Sequence, residues 1–375
     1  MSITVCLSAD TIGYPEGGGH LWAYLNWALG LRALGYNVTW LEGINPRTPT
    51  HKTLANIVAL KNHLKRYGLA QHLALCFKSG EPLPKEIAGD CLDLDAASEA
   101  DLLLNLRYGA RSDLVGRFKR TALIDIDPGL LQIWMSEGQI EVARHNVYFT
   151  IGETVGTPGA RFPDAGLKWE YTPPCVALNW WPPRRAVKDA PFTTVAHWYG
   201  SVIEYGNESY DNSKRSSFMA FVELPRSTDQ SLELALDLVP EDEDQVSLWK
   251  AGWMVRESVA VAATPWDYQR YIQDSRGEFS CVKPSCIRLQ NSWISDRTLC
   301  YMASGKPAVM QHTGPSRFLP DGEGLFRFRD LDEAVQCINT AADDYEHQCK
   351  LARALAEEFF DARKVVERLL ERAMT

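Results

Sequence analysis

The stretch Trp293-Ile-Ser-Asp-Arg-Thr-Leu-Cys-Tyr-Met-Ala-Ser-Gly-Lys-Pro-Ala-Val-Met-Gln-His-Thr-Gly314 decides the fold of this 375-residue chain. It predicts a helix entered by Ser295, Asp296 and Arg297, a Gly305-Lys306-Pro307 turn, a short apolar strand over 307–311, and a small-residue loop, His312-Thr313-Gly314. Ligands of open α/β sheets bind outside the carboxyl ends of the strands, where such loops lie. The helix entry adds free backbone N–H groups and a dipole that favours an anion. Together these point to a nucleotide or phosphate site in the last third of the chain.

Working outward, the same alternation recurs. Residues 3–7 read as a strand, 8–19 as a loop, 20–34 as an amphipathic helix with Leu21, Leu25, Ala28 and Leu31 near one face, and 38–41 as a second strand. This is a βαβ unit and implies a parallel sheet. Residues 102–106, 122–126 and 147–151 read as further strands. The segment 171–185 carries four prolines and reads as an interdomain linker. A second series follows, with strands expected over 193–198, 232–238, 259–264, 307–311 and 325–328. The tail, 344–374, reads as two helices with Asp361 as a cap between them. The expected organisation is a Rossmann-like domain over 1–175, a second over 190–355, and a C-terminal helix over 356–375 that packs back on the first.

The composition excludes several classes. A net charge of −9 with no evident basic patch argues against a nucleic-acid or anionic-membrane partner. The acidic run Glu241-Asp-Glu-Asp244 reads as a solvated loop or helix start. Nine scattered cysteines without a CxxC pair, and with Cys281 and Cys286 in no zinc spacing, fit reduced cytosolic thiols. The expected location is cytoplasmic, because the first residues enter a strand directly without a basic leader. No apolar run approaches the roughly 20 residues needed to span a bilayer. Twelve tryptophans supply core residues and aromatic faces suited to sugar rings.

Four segments carry a family resemblance: Tyr301-Met-Ala-Ser-Gly-Lys-Pro-Ala-Val309, His312-Thr-Gly314, Asp321-Gly-Glu-Gly324 and Leu331-Asp-Glu-Ala334. They resemble the donor-site region of GT-B-fold glycosyltransferases with a group 1-like C-terminal domain, over about residues 293–334. The resemblance implies an α/β architecture of two Rossmann-like domains facing a cleft. It implies transfer of a sugar from a nucleoside diphosphate sugar, with UDP the expected nucleotide, to an acceptor hydroxyl. The donor is a substrate, and no cofactor and no metal are expected. The acceptor is unidentified and the oligomeric state is open. A nucleotide-sugar epimerase of the same fold and a non-catalytic nucleotide-sugar-binding partner are the alternative functions.

The donor candidates are Gly18, Gly19, Lys214, Ser295, Asp296, Arg297, His312, Thr313, Gly314 and Ser316. Charge develops on the departing diphosphate, so cations and N–H donors aimed at it stabilise the transition state. Arg297 is expected at the helix mouth, and the resemblance puts Lys214 after the first strand of the second domain. The 313–316 amides are expected on the phosphate. Lys283 and Arg288 are weaker candidates. Retaining members of the family carry a pair of glutamates at positions that fall here on Ser292 and Cys300, and neither is acidic. Asp296, one turn before Cys300, is offered as the replacement, or as a helix cap. Gly17-Gly-Gly-His20 permits close backbone approach and opens a helix. His20 is a candidate general base, since imidazole titrates near neutrality. Asp125-Ile-Asp127-Pro128 ends an apolar strand with both carboxylates facing one way. It reads as a turn, as a metal-binding pair, or as an acceptor-binding segment with Asp127 as base, and Gln132 and Trp134 are expected to line the acceptor. An inverting transfer would use His20 or Asp127; in a retaining one the leaving phosphate takes the proton.

Overall fold

The computed structural model describes residues 3–239 and 242–375. The chain divides into two compact units. The first comprises the chain up to Pro158, Phe162–Ala177 and Ala362–Thr375; the second comprises Gly159–Arg161 and Leu178–Asp361. The division therefore falls at 177/178 and 361/362, against the expected 175/190 and 355/356.

The first unit is built on strands β1 (Thr4–Ala9), β2 (Asn37–Ile44), β3 (Leu73–Phe77), β4 (Leu102–Asn105), β5 (Thr121–Asp125), β6 (Val147–Thr150) and β7 (Trp169–Tyr171). They form one sheet in the order β3-β2-β1-β4-β5-β6-β7, parallel throughout. Strands buried on both faces read as continuous apolar runs, and β1 and β4 do: Val5, Cys6, Leu7, Leu102, Leu103 and Leu104 are fully buried. On one face Cys6, Leu41, Ala74, Cys76 and Leu103 pack against Leu94, Ala97, Leu114 and Phe118.

The second unit contains β8 (Phe192–Ala196), β9 (Val202–Tyr205), β10 (Glu208–Asp211), β11 (Leu232–Leu236), β12 (Met254–Glu257), β13 (Gly277–Ser280), β14 (Ala308–Gln311) and β15 (Leu325–Phe328). Its parallel sheet runs β12-β11-β8-β13-β14-β15, and β9 and β10 form a separate antiparallel hairpin. Its core is aromatic: Phe279 stacks on Phe328 at 5.2 Å, and Phe221 meets Phe328 edge-on at 5.0 Å. In each sheet the first strand is central and the order reverses beside it, β1 between β2 and β4 and β8 between β11 and β13. Such reversals open the crevices in which α/β sheets take ligands.

Three expectations change. Residues 259–264 are not a strand; Ser258–Ala262 is helical, and the strand is β12, just before it. β3, β7, β13 and the β9–β10 hairpin are additional. The first helix, Gly18–Ala33, is buried nearly all round instead of on one face, with Trp22, Asn26 and Leu29 inside as well as Leu21, Leu25, Ala28 and Leu31. The Ala362–Ala373 helix packs on it within the first unit. The Tyr345–Phe359 helix belongs to the second unit. Of the acidic run, Glu241 lies outside the described residues. Asp242 caps the Glu243–Ala251 helix, and Asp244 is buried against Arg215 and Trp198. Among the described residues, no helix is long and apolar enough to cross a membrane.

Gly30 makes the helix–helix contact possible. A Cβ there would fall 2.8 Å from the Ala362 carbonyl oxygen and 2.9 Å from the Ala362 Cβ. Alanine has the better helix propensity by about 1 kcal/mol, yet overpacking costs about 1–3 kcal/mol. Gly30→Ala is therefore expected to lower the urea midpoint of the first unit. A raised midpoint would show that the helices are not in contact.

Candidate functional site

In the second unit, the candidate groups gather where β8, β13 and β14 end. Asp211 accepts the Ser213 hydroxyl at 2.6 Å, and Ser213 caps the Lys214–Met219 helix. Asn212 accepts the Ser285 amide at 2.9 Å. This brings the start of that helix to the Lys283–Ser285 turn and sets Lys214, half-buried, within electrostatic reach of Arg297, Lys283 and Glu278. Desolvation first, then Arg297 and Lys283, push the Lys214 pKa down to about 7, with Glu278 opposing. Lys214 thus lies in reach of two other cations and of one carboxylate that Arg297 already binds. Arg288 takes no part: it pairs with Glu208 and lies over the Tyr210 ring, on the hairpin.

Arg297 is not the free surface cation that the sequence suggested. Ser295 caps the Asp296–Ala303 helix by accepting the Arg297 amide. The Arg297 side chain, 9% exposed, donates from Nε to Glu278 Oε1 at 2.7 Å and from Nη1 to the Val195 carbonyl at 2.9 Å. It ties this helix to β13 and β8 and is a positioning residue for the Lys214 cluster. Asp296 is half-buried in the first turn, while Ser295 supplies the capping oxygen. Cys300 is fully buried.

The 312–316 loop is fastened to the segment before the helix. Ser292 donates its amide to the Thr313 carbonyl at 2.9 Å, and Thr313 donates its hydroxyl to Trp293 O at 2.7 Å. Arg327 donates to Gly314 O at 2.9 Å. The Gly314 amide, expected on a phosphate, instead donates to His312 Nδ1 at 3.1 Å. That bond fits a neutral imidazole; desolvation and then Arg327 and Arg329 lower the His312 pKa. Ser316 Oγ accepts the amides of Phe318 and Leu319. Gly314 is required, with φ 131° and a Cβ position 2.7 Å from Gln290 O. Gln290 and Ser292 hold φ of 53° and 57° without being glycine. Such strain gathers at ligand sites.

In the first unit, buried Glu42 holds the loop after β1. It accepts the Thr11 amide at 3.0 Å, the Thr11 hydroxyl, the Ile12 amide at 3.3 Å and the Trp40 indole at 2.9 Å. This fixes the approach to Gly17, where a Cβ would collide with the Tyr14 ring at 2.3 Å. Gly18 and Gly19 follow in the helix as its first residues, buried and half-buried. His20 is exposed; its Nε2 donates to Asp10 O at 2.9 Å, and its ring meets Tyr24 edge-on at 5.3 Å. The bond assigns the proton to Nε2 and leaves the Nδ1 lone pair for another proton.

The two aspartates after β5 differ. Asp125 is fully buried, accepting from Gln132 Nε2 and Thr150 Oγ1, each at 2.8 Å; desolvation outweighs these bonds and raises its pKa to about 7. Asp127 is half-buried, and its amide donates to Asp125 Oδ1 at 3.0 Å and to the Tyr108 hydroxyl at 3.0 Å. Gln132 is buried and also accepts the Gly129 amide at 2.6 Å, so it shapes the turn and does not line an open surface. Sequence reasoning missed Glu42, Tyr108 and Glu278. Glu42 and Glu278 did leave a signal, as single carboxylates within apolar strands.

No protein-family model matches this chain, and no curated protein matches it in sequence. Solved structures do match. An alpha-glucosyltransferase in complex with UDP and a 13-mer DNA containing an HMU base has 9% identity and a TM-score of 0.64, with 100% of both chains covered. HepE of Anabaena in complex with UDP-glucose has 12% identity and a TM-score of 0.57, with 99% of each chain covered. Sucrose-phosphate synthase from Thermosynechococcus elongatus has 10% identity and a TM-score of 0.56, covering 99% of this chain and 98% of its own. At such identities the likeness speaks to architecture: the chain has the GT-B fold, in which these glycosyltransferases are built.

Proposed function

We propose that this protein is a glycosyltransferase that moves a sugar from a nucleoside diphosphate sugar, with UDP the favoured nucleotide, to an acceptor hydroxyl without a required metal. The observation that carries the reading is Lys214, half-buried at the carboxyl edge of the second sheet with two further cations, Arg297 and Lys283, in electrostatic reach, while Glu278, the carboxylate in reach, is already bound to Arg297. A diphosphate supplies negative charge there, and Lys214, with Arg297 and Glu278 holding the edge in place behind it, stabilises it as it departs. The second unit holds the donor and the first presents the acceptor beside His20 and Asp127. In an inverting transfer, His20 Nδ1 or the Asp127 carboxylate takes the hydroxyl proton; in a retaining transfer the leaving phosphate does so. The chain is proposed to act in the cytoplasm.

The test is incubation with UDP-sugars, with and without added sugar acceptors, followed by product analysis. The reading predicts UDP release that rises with acceptor. An isomerised nucleotide sugar with no UDP release would identify an epimerase, and no turnover with intact UDP binding a non-catalytic partner.

Lys214 gives this reading a pH signature. Its pKa stands near 7 in the free protein, below the ordinary 10.5. Above pH 7 the free protein therefore holds a mostly neutral amine, and a bound diphosphate favours its protonated form. Binding must then take up a proton, and affinity must fall as pH rises from about 7 towards the ordinary lysine range. Calorimetry of UDP at pH 8, in buffers of different ionisation enthalpy, should show this uptake. A buffer-independent enthalpy would remove Lys214 from the contact.

A further inference from the structure

We propose that the first unit binds an oxyanion, a phosphate or carboxylate group carried by the acceptor, at Arg107 and Lys78. The proposal rests on the reading of this unit as the acceptor side. Arg107 follows β4 and is 4% exposed, yet Nε, Nη1 and Nη2 meet no oxygen or nitrogen acceptor among the described residues, the Cys76 thiol being the group in hydrogen-bonding reach. The comparably buried arginines are spent: Arg297 pairs with Glu278, and Arg327 with Asp321 and the Gly314 carbonyl.

The sheet register explains where Arg107 goes. Ser8 pairs with Asn105, and Gly43 pairs with Cys76, so these side-chain positions and Arg107 share one face. The guanidinium crosses the end of β1 and stops against Gly43, where a Cβ would lie 1.7 Å from Nη1 and 3.3 Å from Lys78 Cγ. Glycine inside a strand marks such a close approach. Besides Lys78, Cys6 and Cys76 lie in its electrostatic reach, thiols whose pKa burial pushes up, so they supply no counter-charge. The Ser8 hydroxyl, fully buried in β1, also lacks a partner among the described residues.

A cavity of about 240 Å³ opens beside this arrangement, lined by Asp10, Gly43, Asn45, Thr48, Asn56 and Lys78 among others. Gly43 and Lys78 line the cavity, and the buried guanidinium lies directly behind them, so a ligand reaches it when Lys78 swings aside. Lys78 pairs with Asp10 at 3.1 Å, and both side chains are nearly half-exposed, so this pair can part to admit a ligand. A buried, unpaired guanidinium is costly, and a planar fork matches a carboxylate or phosphate with two parallel bonds. An incoming oxyanion therefore removes a penalty that the free protein carries.

The test is thermal denaturation of the full chain, with UDP present throughout to fill the proposed donor site, on adding inorganic phosphate, a hexose phosphate, or the neutral hexose. The expected result is a rise in Tm with both anions, larger with the hexose phosphate, and none with the neutral sugar. Arg107→Met should abolish the rise, and Lys78→Met should weaken hexose phosphate binding by about tenfold, as loss of a charged contact does. If R107M does not fold, the Lys78 variant decides alone. Absence of a shift with either anion, or a full shift in the variants, would overturn the site. A shift with inorganic phosphate as large as with the hexose phosphate would overturn its assignment to the acceptor. UDP calorimetry on the same samples separates the readings: anion shifts without UDP binding would sink the donor site and leave this one, and UDP binding without anion shifts the reverse.

Discussion

Arg297→Ala is expected to destabilise the second unit by about 3–5 kcal/mol, the cost of removing one partner from a buried ion pair. Glu278 is fully buried, and its Oε2 already lacks a partner among the described residues. Without Arg297, Oε1 would lose its 2.7 Å bond as well. The carboxylate would then lose its hydrogen-bonded cation and keep only the more distant Lys214, and the Val195 carbonyl would lose a donor. Denaturant unfolding measures the change. The double replacement Arg297→Met with Glu278→Leu should cost much less than the single one, because paired charges can be exchanged for apolar groups of similar volume. A cost below about 1 kcal/mol for the single variant would mean that the pair is solvated. This changes how a loss of activity in an Arg297 variant is to be read: it reports the collapse of a support, whereas the diphosphate is met by Lys214.

Lys214→Met carries the largest expected effect on catalysis. Removing a cation aimed at developing charge lowers kcat by about 10²–10³. Lys214 is a half-buried cation held in reach of two others, so a neutral side chain of similar length should leave the fold as stable or make it more so. The two results together separate the residue from Arg297: one variant keeps stability and loses turnover, the other loses stability. Steady-state kinetics with the donor varied, alongside an unfolding curve, checks both. Unchanged kcat and KM would take Lys214 out of the site.

The elements legible in the sequence were those whose signal is local. β1, the helix after it and β2 show as an apolar strand, a glycine-rich turn and a periodic helix; β14 and the Asp296–Ala303 helix show as the polar entry and the Gly305-Lys306-Pro307 turn. β12 escaped because it is an edge strand with two of its four residues charged and little of it buried, while the apolar Val259-Ala-Val-Ala262 beside it is helical. The all-round burial of the first helix was hidden because its second cover, Ala362–Ala373, lies at the far end of the chain.

The site was less legible for the same reason. Lys214 and Lys283 stand in separate segments and become one cluster only when β8 and β13 pair. Arg297 looked like a helix-mouth cation, and its true partner is on a neighbouring strand. Glu42 acts on Thr11, which β1–β2 pairing brings close. Arg107 carries no motif; its meaning comes from the acceptors that surround other buried arginines and are missing around it.

The most direct measurement is a crystal structure of the protein grown with UDP. The account predicts diphosphate oxygens about 2.7–2.9 Å from Lys214 Nζ, the distance of a charge-assisted bond, with the Arg297–Glu278 pair intact behind it. UDP seated away from the carboxyl edge of β8 and β13, with Lys214 untouched, would contradict it.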